Sequence, residues 1–394
     1  MFKKSSFARL VACALVTLGQ VAAHAAAGNG FKVGPLRVTP SAGLTLAHDS
    51  NVALSSGEEI DSFLTRFSPG VRAEAGSDVN HLTATYQADI GRYHSSQLDN
   101  YSDHSLGLVW SWSPLIRHGL IVDGGWSRHH DERGTAGREG ELALLPLPPD
   151  EFDQRTLGAR YRFGAPGARG RLEFAVGADD FKYRNNRDLT IFRDRTDRSL
   201  GGGFYWRVAP KTSALVTVDQ SEANYDVASL DSTERHYFVG VELDATARTS
   251  GSVLVGRAEK DFEDPTRLDF SGLSWRAAVR YKLRSYSVFD LTTTRDADET
   301  NGFGDFILRR DVTLGWMHQW SSRFSSHVDL GVARDEHRPS LRTDKSVYYG
   351  LSGQYQVSPW LSFGAGYRAS DRDSDISELN YQRKQLLLSV EASL

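Results

Sequence analysis

Leu273-Ser274-Trp275-Arg276-Ala277-Ala278-Val279-Arg280-Tyr281-Lys282-Leu283 carries an apolar side chain at every odd position, with Ser274, Arg276, Arg280 and Lys282 between them. A strand points successive side chains to opposite faces, so this spacing predicts a strand with one apolar and one wet face. A soluble sandwich could use the same strand. The number of such segments, and the way they are joined, separates the two.

The alternation recurs near 36–48, 61–75, 80–94, 102–113, 118–130, 154–163, 170–184, 196–208, 212–226, 234–246, 251–263, 271–283, 287–297, 306–320, 324–336, 345–358, 360–372 and 380–394. This predicts an all-β chain, a transmembrane antiparallel up-and-down β-barrel of about 18 strands (16–18). Short connections carry turn residues, as at Ser113-Pro114, Ala165-Pro166-Gly167, Pro210-Lys211 and Ser358-Pro359. Between them lie longer polar loops such as 49–60, 131–153, 185–195, 264–270, 298–305 and 373–379. Short turns on one rim and long loops on the other are the outer-membrane pattern, the long loops facing out of the cell.

Aromatic residues mark the same boundaries. Trp110, Trp112, Trp206 and Trp320 end strands beside short turns, and Trp360 opens one. Such rings favour the headgroup zone, where one end is apolar and the other can hydrogen-bond. The final segment alternates as well: Leu386, Leu388, Val390, Ala392 and Leu394 against Leu387, Ser389, Glu391 and Ser393.

The N-terminus predicts export. Lys3, Lys4 and Arg9 precede an apolar stretch from Leu10 to Ala22, and Ala23-His24-Ala25 has the small residues of a cleavage site. Residues 1–25 are therefore expected to be a cleaved Sec signal peptide, 26–35 a short periplasmic lead, and 36–394 one barrel. A lipoprotein site at Leu10-Val11-Ala12-Cys13 would leave no hydrophobic core between Arg9 and the cut. Cys13 is the single cysteine, so the mature chain has no disulfide, cysteine nucleophile or thiolate metal site. A formal net charge of −4 before the three signal-peptide cations are removed argues against nucleic acid as a partner.

The face opposite the apolar one is charged. Arg66, Arg72, Asp89, Asp123, Arg160, Arg162, Glu173, Asp179, Glu242, Asp244, Arg276, Arg280, Asp311, Asp329 and Arg368 are expected to point inward. As a set they suit a hydrophilic conduit with a transverse field; singly, most are expected to pair among themselves. Leu142, Leu144, Leu145 and Leu147, among the prolines of loop 131–153, suggest a constriction folded into the lumen, a partner contact, or a mobile loop. Arg184, Arg187, Arg193, Arg195 and Arg198 gather near the outer rim and suit the phosphates of lipopolysaccharide or an acidic polysaccharide, with Asp188, Asp194 and Asp197 diluting them. Catalysis finds no positioned nucleophile: His129-His130-Asp131-Glu132 and His48-Asp49-Ser50 are histidine–carboxylate neighbours of a kind met by chance. No cofactor is implied, and no calcium-ligand spacing is present.

The opening Leu36-Arg37-Val38-Thr39-Pro40-Ser41-Ala42-Gly43-Leu44-Thr45-Leu46-Ala47-His48-Asp49-Ser50-Asn51-Val52 resembles the first strand and turn of β-barrel porins encoded in exopolysaccharide or capsule biosynthesis clusters. A strand proline and an Asp-x-Asn turn, here Asp49-Ser50-Asn51, carry the resemblance; the remaining 340 or so residues agree in strand rhythm. The resemblance implies an outer-membrane protein of a Gram-negative bacterium, in contact with lipid and lipopolysaccharide. It also implies a role in moving or anchoring secreted polysaccharide together with periplasmic export proteins. A general or solute-specific uptake porin and a non-conducting scaffold are the alternatives.

Overall fold

The computed structural model describes residues 30–243 and 248–394. The strands are β1 (Phe31–Val33), β2 (Leu36–Asp49), β3 (Ser62–Gly76), β4 (Asn80–Tyr93), β5 (Tyr101–Leu115), β6 (His118–Asp131), β7 (Asp150–Phe163), β8 (Gly170–Tyr183), β9 (Arg195–Ala209) and β10 (Thr212–Tyr225). They continue with β11 (Ser232–Leu243), β12 (Thr249–Phe262), β13 (Phe270–Arg284), β14 (Ser287–Glu299), β15 (Phe306–Gln319), β16 (Phe324–Arg338), β17 (Thr343–Ser358), β18 (Leu361–Ser374) and β19 (Tyr381–Ser393). From β2 onward each strand pairs antiparallel with the next. β19 then pairs back onto β2, from Gln385↔Asp49 to Ser393↔Ser41. The result, among the described residues, is a closed ring of 18 strands, each paired on both sides. β1 is a three-residue addition within the expected lead, paired with Leu36–Val38. The expected signal peptide, residues 1–25, lies outside the described residues.

A strand of 14 residues such as β2 is roughly 46 Å long. Tilted at about 40°, it rises roughly 35 Å, enough for an apolar band and both girdles. On β3, Phe63, Phe67 and Val71 are exposed, while Leu64, Arg66, Ser68 and Arg72 take the opposite face. β16 does the same, with exposed Leu330 and Val332 against Asp329, Gly331 and Ala333. Cross-strand partners share a face, so the register carries this division around the barrel. Trp110, Trp112, Trp206, Trp320 and Trp360 all lie exposed beside the short turns.

Two details differ from the sequence reading. Ser113-Pro114 lies inside β5, where the register shifts between Trp112 and Leu115, and the turn is Ile116-Arg117. A proline has no N–H to give a ladder, and a bulge is where a strand can hold one. β7 starts at Asp150 instead of near 154, because the acidic, non-alternating Asp150–Asp153 pairs with Asp131–Arg128.

Two inward glycines make room for rings from the next strand. A Cβ at Gly331 would lie 2.1 Å from Cε1 of Tyr348, and one at Gly91 2.1 Å from Cε1 of Tyr101. Each tyrosine lies flat across its glycine instead of standing into the lumen.

Candidate functional site: a constriction at the outer mouth

The connection between β6 and β7, residues 132–149, does not stand up into solvent. Gly134 (φ 80°), Ala136 (φ 53°) and Gly140 (φ 59°) adopt left-handed backbone, which doubles the chain back. A Cβ at Gly134 would lie 2.2 Å from the carbonyl oxygen of Ala53, so only glycine lets the two loops approach this closely. A short 3-10 turn, Gly140–Leu144, follows.

Ion pairs hold this loop across the mouth. Arg383 Nη1 donates to Glu132 at 2.8 Å, and Arg133 Nε to Asp99 at 2.9 Å. Arg138 ties the loop's own return, donating to the carbonyls of Pro148 (2.6 Å) and Leu147 (3.2 Å) and to Asp150 (3.3 Å). Glu139 reaches furthest. It accepts from Arg342 Nη2 at 2.8 Å, Arg372 Nη1 at 2.5 Å and Asn301 Nδ2 at 3.0 Å. Asn301 belongs to the β14–β15 connection, which faces β6–β7 from nearly the opposite side of the ring. The loop therefore spans the opening. It touches the outer connections at Ala53, Asp99, Arg193, Asn301, Arg342 and Leu379.

These contacts are desolvated. The Glu139 side chain is 8% exposed and that of Arg342 2%. Burial pulls the Arg342 guanidinium toward neutrality, but Asp344 and Glu139 outweigh it, and the net shift is upward. Burial also pushes the Asp99 carboxyl above its ordinary range, although Ser96 and Arg133 donate to it.

Leu142 and Leu144 are exposed, and Leu145 and Leu147 half-buried. The ion pairs that hold the loop across the mouth come instead from Glu132, Arg133 and Glu139, whose partners lie in other segments, while Arg138 braces the loop internally. No local pattern in the loop could have named them.

The inward candidates sit on the face opposite the apolar band, except Asp244, which lies outside the described residues. Arg66 Nε lies 3.8 Å from Asp89, Arg72 pairs with Glu74 at 2.5 Å, and Gln154 donates to Asp179 at 3.4 Å. Arg171 joins Glu173 (3.0 Å) to Glu242 (2.9 Å), beside Arg160 and Arg162. Arg276 pairs with Asp296 at 2.7 Å and Arg280 with Asp290 at 2.6 Å. Thr294 donates to Asp311. Asp123 and Asp329 lean over Gly158 and Gly350, and Arg368 lies 4.8 Å from the ring centre of Tyr348. One sector adds what the alternation did not suggest. The inward Tyr205, Leu215 and Phe238 are buried, and Arg171 and Arg276 lie over the rings of Tyr205 and Phe238 at 3.8 and 4.8 Å.

The remaining candidates are tied up structurally. Glu234, His236 and Asp296 could geometrically hold a metal, but Arg276 is 2.7 Å from Asp296 and Lys260 3.8 Å from Glu234, so cations already neutralise them. His130 Nδ1 meets Asp103 at 2.9 Å, Asp131 accepts from Tyr183 and Arg193, and Asp49 accepts from Arg383. His129 lies 3.6 Å from Asp103 and His48 3.5 Å from Asp61. Of the rim arginines, Arg184 pairs with Asp153 (2.9 Å), Arg187 with Asp194 (2.8 Å), Arg193 with Asp131 (2.8 Å) and Arg195 with Asp197 (3.2 Å). Arg198 stands opposite Glu222.

The architecture is shared with solved porins of Pseudomonas aeruginosa. OccK5 (OpdH) is 13% identical, with 93% of this chain and 99% of that chain covered at a TM-score of 0.50. OpdL is 12% identical, with 92% and 99% covered at a TM-score of 0.50. At such identity the likeness speaks for the fold alone. No curated protein matches the chain. The family model described as "Putative beta-barrel porin 2" matches residues 24–394, and with the closed 18-strand barrel it places this chain as a member of that outer-membrane porin family.

Proposed function

We propose that the protein is an outer-membrane porin for the uptake of small polar solutes, with loop 132–149 as its selective constriction. The observation that carries this reading is Glu139, held by Arg342 and Arg372 on the far side of the mouth. A secreted polysaccharide needs a continuous open path, and a loop pinned across the opening favours small solutes over polymer. The mixed charges of the wall then act as a polar track beneath the constriction. Reaching the outer membrane by signal cleavage after Ala25 is part of the proposal, and N-terminal sequencing of the mature protein checks it.

The test is single-channel conductance of the refolded barrel in a planar bilayer, intact and with residues 134–147 deleted. The expected result is small, fluctuating conductance that rises on deletion and is indifferent to acidic polysaccharide. Large, steady conductance blocked by polysaccharide would restore the export reading. Silence in both forms, from demonstrably folded barrels, would favour the scaffold.

A further inference from the structure

Lipid-facing charges are distributed unevenly around this barrel. On β6–β12 the outward cations near the outer rim have carboxylates within reach. Arg128 pairs with Asp153 at 2.9 Å, Arg235 with Asp261 at 2.6 Å and Arg257 with Glu259 at 2.9 Å, and Lys182 with Asp226. The sector β14–β17 is arranged differently.

There the register sets Arg295 opposite Arg310, Arg310 opposite Arg334, and Arg334 opposite Lys345. Directly paired residues have Cβ atoms roughly 5 Å apart, and like charges in that position repel. Four cations thus form one continuous row across four adjacent strands. Glu336 serves Arg310 at 3.3 Å, Arg334 at 3.2 Å and Arg338 at 2.6 Å, and Asp373 stands opposite Lys345. Three arginines therefore share one carboxylate, and at the end of the row Asp373 and Asp371 flank Lys345 on the same face. Arg295 Nη1 is buried without a hydrogen-bond partner, although its guanidinium lies 5.8 Å from the ring centre of Trp275.

Position tells what could relieve this charge. Two residues toward the periplasm on the same face run Thr293, Val312, Val332 and Val347, the edge of the apolar band; below them Leu291, Leu314, Leu330 and Tyr349 are exposed. The row lies at the boundary between apolar wall and polar rim, on the side of the long loops. A ligand that fits must carry several negative charges in its head and acyl chains that lie along the wall. Free anions in solution supply the charge without the chains.

We infer that Arg295, Arg310, Arg334 and Lys345 form a binding site for the phosphorylated head group of lipopolysaccharide in the outer leaflet. Guanidinium forks bind phosphate oxygens bidentately, and phosphate turns the repulsion within the row into attraction. The site is separate from the pore, so it stands or falls independently of which solute passes.

The test uses the full barrel, refolded in zwitterionic detergent without lipopolysaccharide, and native mass spectrometry with bisphosphorylated lipid A. Monophosphorylated and dephosphorylated lipid A and inorganic phosphate are the comparison ligands. Affinity is expected to fall as phosphates are removed, and inorganic phosphate to bind far more weakly than the lipid. Arg310→Gln and Arg334→Gln should each cost about tenfold in lipid A affinity. Arg235→Gln, in the paired sector, should leave binding unchanged.

Ligand-free thermal stability distinguishes a ligand site from a structural cluster. Relief of repulsion should leave Arg310→Gln as stable as the parent or more so. Lipid A binding that survives in the Arg310→Gln/Arg334→Gln double variant would overturn the proposal. So would a ligand-free loss of stability in both single variants, or inorganic phosphate binding as tightly as the lipid.

Discussion

Glu139→Ala isolates the mouth from the wall. Glu139 takes no part in the strand ladders, but its carboxylate neutralises Arg342 and Arg372, whose side chains are 2% and 9% exposed. After truncation Arg342 keeps Asp344, which it also grips through Nε at 3.0 Å, while Arg372 is left with the Leu379 carbonyl. Breaking a buried pair by removing one partner costs about 3–5 kcal/mol. The lower end applies because Arg342 stays paired, and the cost falls on the docked position of the loop. At about 1.36 kcal/mol per factor of ten, roughly 3 kcal/mol shifts the docked-to-open ratio on the order of a hundredfold. Single-channel recording should therefore show long-lived open states of larger conductance, with the heat-modifiable gel mobility of the folded barrel unchanged. If Glu139→Ala keeps the parent's conductance and dwell times while folded, the loop is not what restricts the mouth.

Two further outcomes follow from the wall. Arg383→Met removes the cation that ties β19 to Asp49 on β2 and to Glu132, so urea unfolding in bilayers should show a loss of about 3–5 kcal/mol. Leu330→Arg puts a charge on the lipid face and should cost about 2–4 kcal/mol of insertion free energy. The neighbouring Asp329→Asn, on the other face, should fold as the parent does, and equal effects of the two would invert the assignment of faces.

The barrel was legible because its rule is local. Alternation such as that of Leu273 to Leu283 needs only a dozen residues, and every strand it indicated is present. Boundaries slipped where the local rule is silent, at the acidic start of β7 and at Pro114 in its bulge. The constriction was half legible. Loop 131–153 stood out for its leucines, of which Leu142 and Leu144 are exposed and Leu145 and Leu147 half-buried, and not for the charged residues that carry its ion pairs. Glu132, Arg133 and Glu139 tie it to other segments, and the partners of Glu139 are more than 160 residues away, where no spacing rule reaches. Lipid-facing charge shows a further limit. The clustered arginines of 184–198 attract attention in the sequence yet are mostly spent on nearby aspartates. Arg295, Arg310, Arg334 and Lys345 look scattered until strand register brings them into one row.

Arg383 also bears on the order in which the molecule matures. It lies in β19, the strand that completes the ring, and grips both Asp49 across the seam and Glu132 at the root of the crossing loop. Until β19 meets β2, the root of that loop lacks one of its anchors, and two unpaired strand edges remain. Joining the wall and seating the loop are thus coupled steps. A barrel halted before its last pairing would be leaky as well as sticky, and the cell's assembly machinery gains one late event that cures both faults.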